Sequence, residues 1–138
     1  MKLSTRSRYG LRAMVFIACN EGRVTSSEMI AEHEEVSKRY LDRMLNRLRK
    51  AGLLTSVKGQ SGGYVLARPA HEIRTDQIIE ALEGSLCLVP CVDDPSQCDK
   101  SGACRTRKVW SRIASAVEES LHGISLRALA GLEDDGAC

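Results

Sequence analysis

The stretch from Ser37 to Ala51 constrains this chain more than any other. Leu41, Met44, Leu45 and Leu48 recur at i, i+3, i+4, i+7, and Arg39, Arg43, Arg47 and Lys50 recur at i, i+4, i+8, i+11. At about 100° per residue the two series lie on nearly opposite sides of one helix. One side must be buried in a core; the other is a cationic ridge. Ser37 is the expected N-cap and Gly52 the stop. A solvated charged face is the plain alternative for such a ridge, so its neighbours decide.

Upstream, Thr5 to Asn20 carries Leu11, Met14, Val15 and Ala18 at helical spacing, with Phe16 and Ile17 widening the apolar face. Thr25-Ser26-Ser27-Glu28 has capping-box spacing and predicts a short helix, capped by Thr25, that carries Met29, Ile30 and Ala31. Downstream, residues 53–58 read as a strand, 59–63 as a tight turn and 64–67 as the return strand, closed by Pro69. Helix, short helix, turn, helix, hairpin is the order of a winged helix-turn-helix. In that module the second helix offers arginine to guanine edges and lysine to phosphates. The expected DNA-contacting residues are Ser37, Lys38, Arg39, Tyr40, Arg43 and Arg47 on the helix. On the wing they are Lys58, Gln60, Ser61, Gly62, Gly63 and Tyr64, where glycines allow close approach to a phosphate chain. Charge agrees: residues 1–68 hold 13 Lys/Arg against 6 Asp/Glu, and residues 69–138 hold 7 against 12. A basic half on an acidic half points the first towards a polyanion.

The second half begins with a helix from Thr75, read as its cap, to Glu83, with Ile78, Ile79 and Leu82 inward. Residues 85–104 read as a loop interrupted by Pro90, Pro95 and Gly102, too long to lack a purpose. A long helix over 105–122 carries Trp110, Ile113, Val117 and Leu121 along one stripe. It has too little of its own domain to cover that stripe, so a second copy is the expected partner, and a two-fold dimer suits a palindromic DNA site. Ser125 starts a short last helix, and residues 133–136 form an acidic tail. The expected fold class is mainly α: a winged helix-turn-helix over 1–84, a cysteine-rich loop over 85–104, and a dimerisation segment over 105–138.

Six cysteines are many for a chain with no apolar leader at its start and no apolar run near the ~20 residues of a membrane span. The expected compartment is the reducing cytoplasm, where clustered thiols indicate metal or redox chemistry. Cys91, Cys98 and Cys104 are spaced too widely for one side of a zinc knuckle and suit a loop wrapped round an iron–sulfur cluster. Zinc and a metal-free thiol switch are the alternatives. Cys87 is a possible fourth ligand, although Leu86 and Leu88 favour a buried thiol; Cys19 reads as core and Cys138 as incidental. There is no nucleophile–base set, phosphate loop or pair of carboxylates to suggest an enzyme. A cluster carrier or electron-transfer protein is the rival outside DNA binding, and it would not need the cationic ridge.

The opening Leu3-Ser4-Thr5-Arg6-Ser7-Arg8-Tyr9-Gly10-Leu11-Arg12-Ala13-Met14 resembles that of the Rrf-two family of bacterial winged-helix regulators. So do Tyr40-Leu41, the run Leu48 to Leu53, Gly62-Gly63-Tyr64, the three spaced cysteines and Trp110, which together extend the resemblance over about residues 1–132. It implies a dimeric transcription regulator, most simply a repressor. In such a protein a [2Fe-2S] or [4Fe-4S] cluster on Cys91, Cys98 and Cys104 senses iron, redox state or nitric oxide. The fourth ligand varies in the family. Where IscR-like members have a histidine three residues after the third cysteine this chain has Arg107, and where NsrR-like members use an N-terminal aspartate it has Arg8.

Overall fold

A computed structural model describes residues 3–132. The acidic tail and Cys138 lie outside the described residues. Helix α1 (Thr5–Cys19) starts at Ser4, whose hydroxyl accepts the Arg6 N–H. Helix α2 (Ser27–Glu34) starts one residue later than the capping-box spacing predicts, because Ser26 and not Thr25 accepts the Met29 N–H. The backbone of Thr25 is committed elsewhere: it donates to Tyr64 O at 3.0 Å and accepts from Tyr64 N at 2.8 Å. Helix α2 ends at Glu35 in the left-handed region, φ 54°, which makes the tight turn into α3 (Lys38–Lys50). The Ser37 hydroxyl caps α3 through the Tyr40 N–H, as the sequence predicts.

Strands β1 (Leu54–Val57) and β2 (Gly63–Leu66) form the antiparallel hairpin, with Leu54 opposite Leu66 and Val57 opposite Gly63. The Thr25–Tyr64 pair stitches this hairpin to the turn before α2. Wing and helix-turn-helix are thereby held in one orientation. The glycines of the wing serve that closeness. A Cβ on Gly62 would lie 2.4 Å from Val57 O, and one on Gly63 would lie 2.3 Å from Thr25 O.

The whole apolar stripe of α3 is sealed: Leu41, Met44, Leu45 and Leu48 are buried together with Met14, Ile17, Ile30, Ile78 and Leu82. Each such side chain contributes roughly 1.5–3 kcal/mol of burial. Met29, expected beside Ile30, is exposed. Helix α4 (Thr75–Glu83) is capped at Arg74, one residue earlier than predicted, with the Gln77 carboxamide accepting the Arg74 N–H. Thr75 instead donates its hydroxyl to Ile124 O at 2.9 Å.

The segment over 85–104 contains two short helical pieces, α5 (Pro90–Asp93) and a 3-10 turn at Pro95–Gln97. Each opens on a proline, whose fixed φ suits a first helical position. Helix α6 (Arg107–His122) starts two residues later than expected, and Ser125 caps α7 (Leu126–Leu129). The chain then returns to the winged-helix core. Thr75 N–H donates to Ile124 O at 3.0 Å, Leu126 N–H to Ile73 O at 2.7 Å, and the Leu126 side chain is fully buried beside α1. Among the described residues no helix is long and apolar enough to cross a membrane.

Candidate nucleic-acid interface and cysteine loop

Helix α3 presents its polar side away from the core, and the residues on it differ in how committed they are. Arg39 and Arg43 are exposed and have no ion-pair or hydrogen-bond partner among the described residues. With Lys38, Asp42 and Asn46 they line one shallow depression. Lys38 Nζ lies 3.0 Å from Asp42 Oδ2 and 3.4 Å from Glu28 Oε1, and the hydrogen bond and charge of Asp42 raise its pKa. Tyr40 is half-buried, its ring edge-on to Tyr9 with centroids 6.3 Å apart. Arg47 is engaged within the protein, donating from Nη1 to Leu82 O at 3.2 Å. On the wing Lys58, Gln60 and Ser61 are exposed, while Gly62, Gly63 and Tyr64 are half-buried.

The four cysteines of the loop, Cys87, Cys91, Cys98 and Cys104, are free thiols, and all are half-buried. Cys19, read from sequence as a core thiol, is half-buried. Cys87 donates its thiol to Val89 O at 3.3 Å and its N–H to Ser85 Oγ at 3.0 Å, a local role in shaping the loop. Cys91 is fixed through its carbonyl, which accepts from Arg107 Nε at 3.0 Å. The Thr106 hydroxyl, 3.2 Å from Cys104 Sγ, lowers the pKa of that thiol, with backbone N–H groups and the Arg107 charge adding to the effect. Among the described residues no three of His, Cys, Asp and Glu are gathered closely enough to hold a metal ion.

Helix α6 turns its stripe outward. Val109 is 54% exposed, Trp110 38% and Ile113 37%, with Val117 and Leu121 half-buried and Ala114 alone buried along the helix.

Sequence reasoning missed the C-terminal end of α4. Glu83 Oε1 accepts from Ser4 N–H at 2.9 Å and from the hydroxyls of Ser4 and Ser7, and Arg6 lies 3.8 Å from Oε2. Partial burial pushes the Glu83 pKa up, but these donors outweigh it and the net shift is downward. The partners lie some 80 residues apart in sequence, and no local spacing announces them.

A two-stranded wing stitched to a helix-turn-helix, with a free arginine pair on the second helix, defines a winged-helix DNA-binding regulator. The comparisons with known proteins carry this further. A family model described as Rrf2, iron-dependent transcriptional regulator, matches residues 3–131. Protein rrf2 of Nitratidesulfovibrio vulgaris is 36% identical over 139 residues, covering 100% of this chain and 91% of the relative. The structure of CymR, the global cysteine regulator of B. subtilis, superposes with a TM-score of 0.78 at 36% identity, over 97% of this chain and 99% of that one. The T. potens IscR structure gives a TM-score of 0.75 at 36% identity, over 99% and 89%. The chain belongs to the Rrf2 family of transcriptional regulators.

Proposed function

We propose that the protein is a homodimeric repressor of a palindromic operator, and that its DNA affinity is set by the chemistry of Cys91, Cys98 and Cys104. Arg39 and Arg43 read the duplex from α3, with Ser37, Lys38 and Tyr40 beside them, while Lys58 to Tyr64 follow the backbone from the wing. The outward stripe of α6 meets a second copy. The observation that carries the sensing part is the place of the three thiols. They are free and half-buried. Their loop joins the end of the winged-helix module to α6.

In kind the thiols suit an iron–sulfur cluster, since soft thiolates are its usual ligands, while three of them leave one ligand position to be filled. The loop as it stands does not gather them, so cluster binding requires it to close or the second subunit to complete the set. When bound, a cluster supplies iron that metal supply, oxygen or nitric oxide can alter. It acts as a switch only if it binds the DNA-competent and DNA-incompetent forms unequally. A metal-free thiol switch is the second reading, favoured by the hydrogen bond from Thr106 that lowers the pKa of Cys104 and by the likeness to CymR, the global cysteine regulator of B. subtilis.

Anaerobic purification with iron and sulfide analysis tests both. Under the cluster reading the protein is brown. Cys91→Ser, Cys98→Ser and Cys104→Ser each lose the cluster, and Cys87→Ser keeps it. A colourless, iron-free protein whose operator binding still follows thiol oxidation sinks the cluster and leaves the thiol switch.

A further inference from the structure

We propose that the last turn of α4, Leu82–Gly84, is the joint through which the state of the cysteine loop reaches the recognition helix, and that Arg47 is a positioning residue there. The inference rests on the reading that the loop is the sensor.

Two helices grip this turn. From α3, Arg47 donates to Leu82 O, one of the terminal carbonyls that α4 leaves without a partner of its own. A guanidinium there also meets the negative end of the helix dipole. From α1, Ser4, Ser7 and Arg6 converge on the Glu83 carboxylate. Also from α1, Gly10 faces Leu82 so closely that a Cβ on it would lie 2.3 Å from Leu82 Cδ1. Lacking a Cβ, Gly10 lets Leu82 pack directly on the α1 backbone, so a displacement of the turn bears on α1.

On its other side the turn leads directly into the loop. Gly84, at φ 90°, makes a bend that other residues rarely adopt. Ser85 follows, its hydroxyl donating to Asp93 of α5 and accepting the Cys87 N–H. Helix α5 carries Cys91, whose carbonyl is held by Arg107 at the start of α6. A line thus runs by hydrogen bonds from α6 through Cys91 and α5 to Ser85, by the chain itself through Gly84 to Glu83 and Leu82, and by a hydrogen bond on to Arg47 in α3. Arg47 sits exposed on the cationic ridge, yet one of its guanidinium N–H groups is committed to α4. Its place on the ridge aims the arginines beside it.

Spatial continuity alone does not prove coupling, so the test measures coupling itself. The probe is a palindromic duplex selected from a random pool. The full-length protein is used with its loop thiols free and again after carbamidomethylation, with the modified cysteines mapped by mass spectrometry. The readout is the ratio of the two Kd values. For wild type an allosteric effect of ordinary size makes the ratio about 5- to 150-fold. Glu83→Gln and Arg47→Met should each bring it to within about threefold of one, whatever they do to absolute affinity. The double variant should lose no more than either single, because both lie on one line. Arg47→Lys, which keeps a donor, should recover part of the ratio.

A wild-type ratio of one sinks the sensing reading and the joint with it. A large wild-type ratio left intact by both variants overturns the joint alone. If Arg47→Met weakens both states equally, Arg47 is a DNA contact and the proposal is wrong. If the variants only lower the melting temperature at an unchanged ratio, the turn is merely structural and the proposal is equally wrong.

Discussion

Replacing Gly63 by alanine sets two effects of opposite sign against each other. Gly63 does not have a left-handed φ, so alanine fits its backbone conformation. On that ground alone the change should stabilise by about 0.4–1 kcal/mol, through a less flexible unfolded chain. The new Cβ, however, would lie 2.3 Å from Thr25 O, 2.6 Å from Thr25 C and 2.8 Å from Ser26 Cα. All three are backbone atoms, so no side chain can rotate aside. The strand must lift, and the two hydrogen bonds between Thr25 and Tyr64 break. At roughly 0.5–1.5 kcal/mol each, their loss costs about 1–3 kcal/mol. Thr25 is fully buried, so water does not readily take their place. The net expectation is destabilisation by about 1–2 kcal/mol, together with weaker DNA binding as the wing loses its fixed orientation. Urea unfolding of Gly63→Ala should be read beside Gly102→Ala, where nothing lies within 4 Å of the added carbon and the change should be neutral or mildly stabilising. If Gly63→Ala is as stable as wild type while Gly102→Ala behaves as expected, the stitched wing is not a constraint and the reasoning fails.

Leu48→Ala should cost about 2–5 kcal/mol of stability, because its side chain is fully buried. Arg43→Ala should leave the thermal melt unchanged and cost about 1–3 kcal/mol of specific DNA binding; melts and gel-shift titrations on both separate the two faces of α3. Val117→Asp puts an unpaired charge on the α6 stripe and should give a monomer by light scattering, with DNA affinity collapsing; a variant that stays dimeric places the interface elsewhere. Glu83 has its pKa lowered in the folded protein, so its stabilising contribution is complete above the ordinary carboxylate pKa and fades as pH falls through the folded value. Stability measured from pH 7 downward should therefore fall less steeply in Glu83→Gln than in wild type, and parallel curves would refute the role of the Ser4–Ser7–Glu83 cluster.

Local periodicity carried most of the fold. The stripe of Leu41, Met44, Leu45 and Leu48 predicts a buried face and the structure buries it. Ser37 has only the turn before α3 to compete for it, so its cap was legible. Thr25 and Thr75 both look like caps, yet each is one residue off, because each is claimed by a distant partner: Tyr64 for the first and Ile124 for the second. Such long-range claims leave no trace in local spacing. The pieces at Pro90–Asp93 and Pro95–Gln97 are too short for any periodicity to register. On the candidate site, the cationic ridge was legible as a ridge. The sequence could not tell that Arg47 is tied to α4 while Arg39 and Arg43 are not, since that depends on which helix end passes alongside. The resemblance of the opening and of the cysteine spacing pointed to the family that the comparisons bear out.

The return of Ile124–Leu126 to the winged-helix core has a consequence for how the protein is made. The core around α1 is not closed until Leu126 is in place, about forty residues after the end of α4. At the usual ~5–20 residues per second of synthesis, that is a delay of roughly 2–8 s. Cys91, Cys98 and Cys104 are all translated within it. During nascent-chain folding the three thiols are therefore present before the domain locks around them, in a period when small thiols, metal donors or chaperones have their freest access to the loop. Contacts between residues so far apart in sequence are also slow to form. Under the proposed sensing role of the loop, its loading and the closure of the DNA-binding core would fall in the same interval of synthesis.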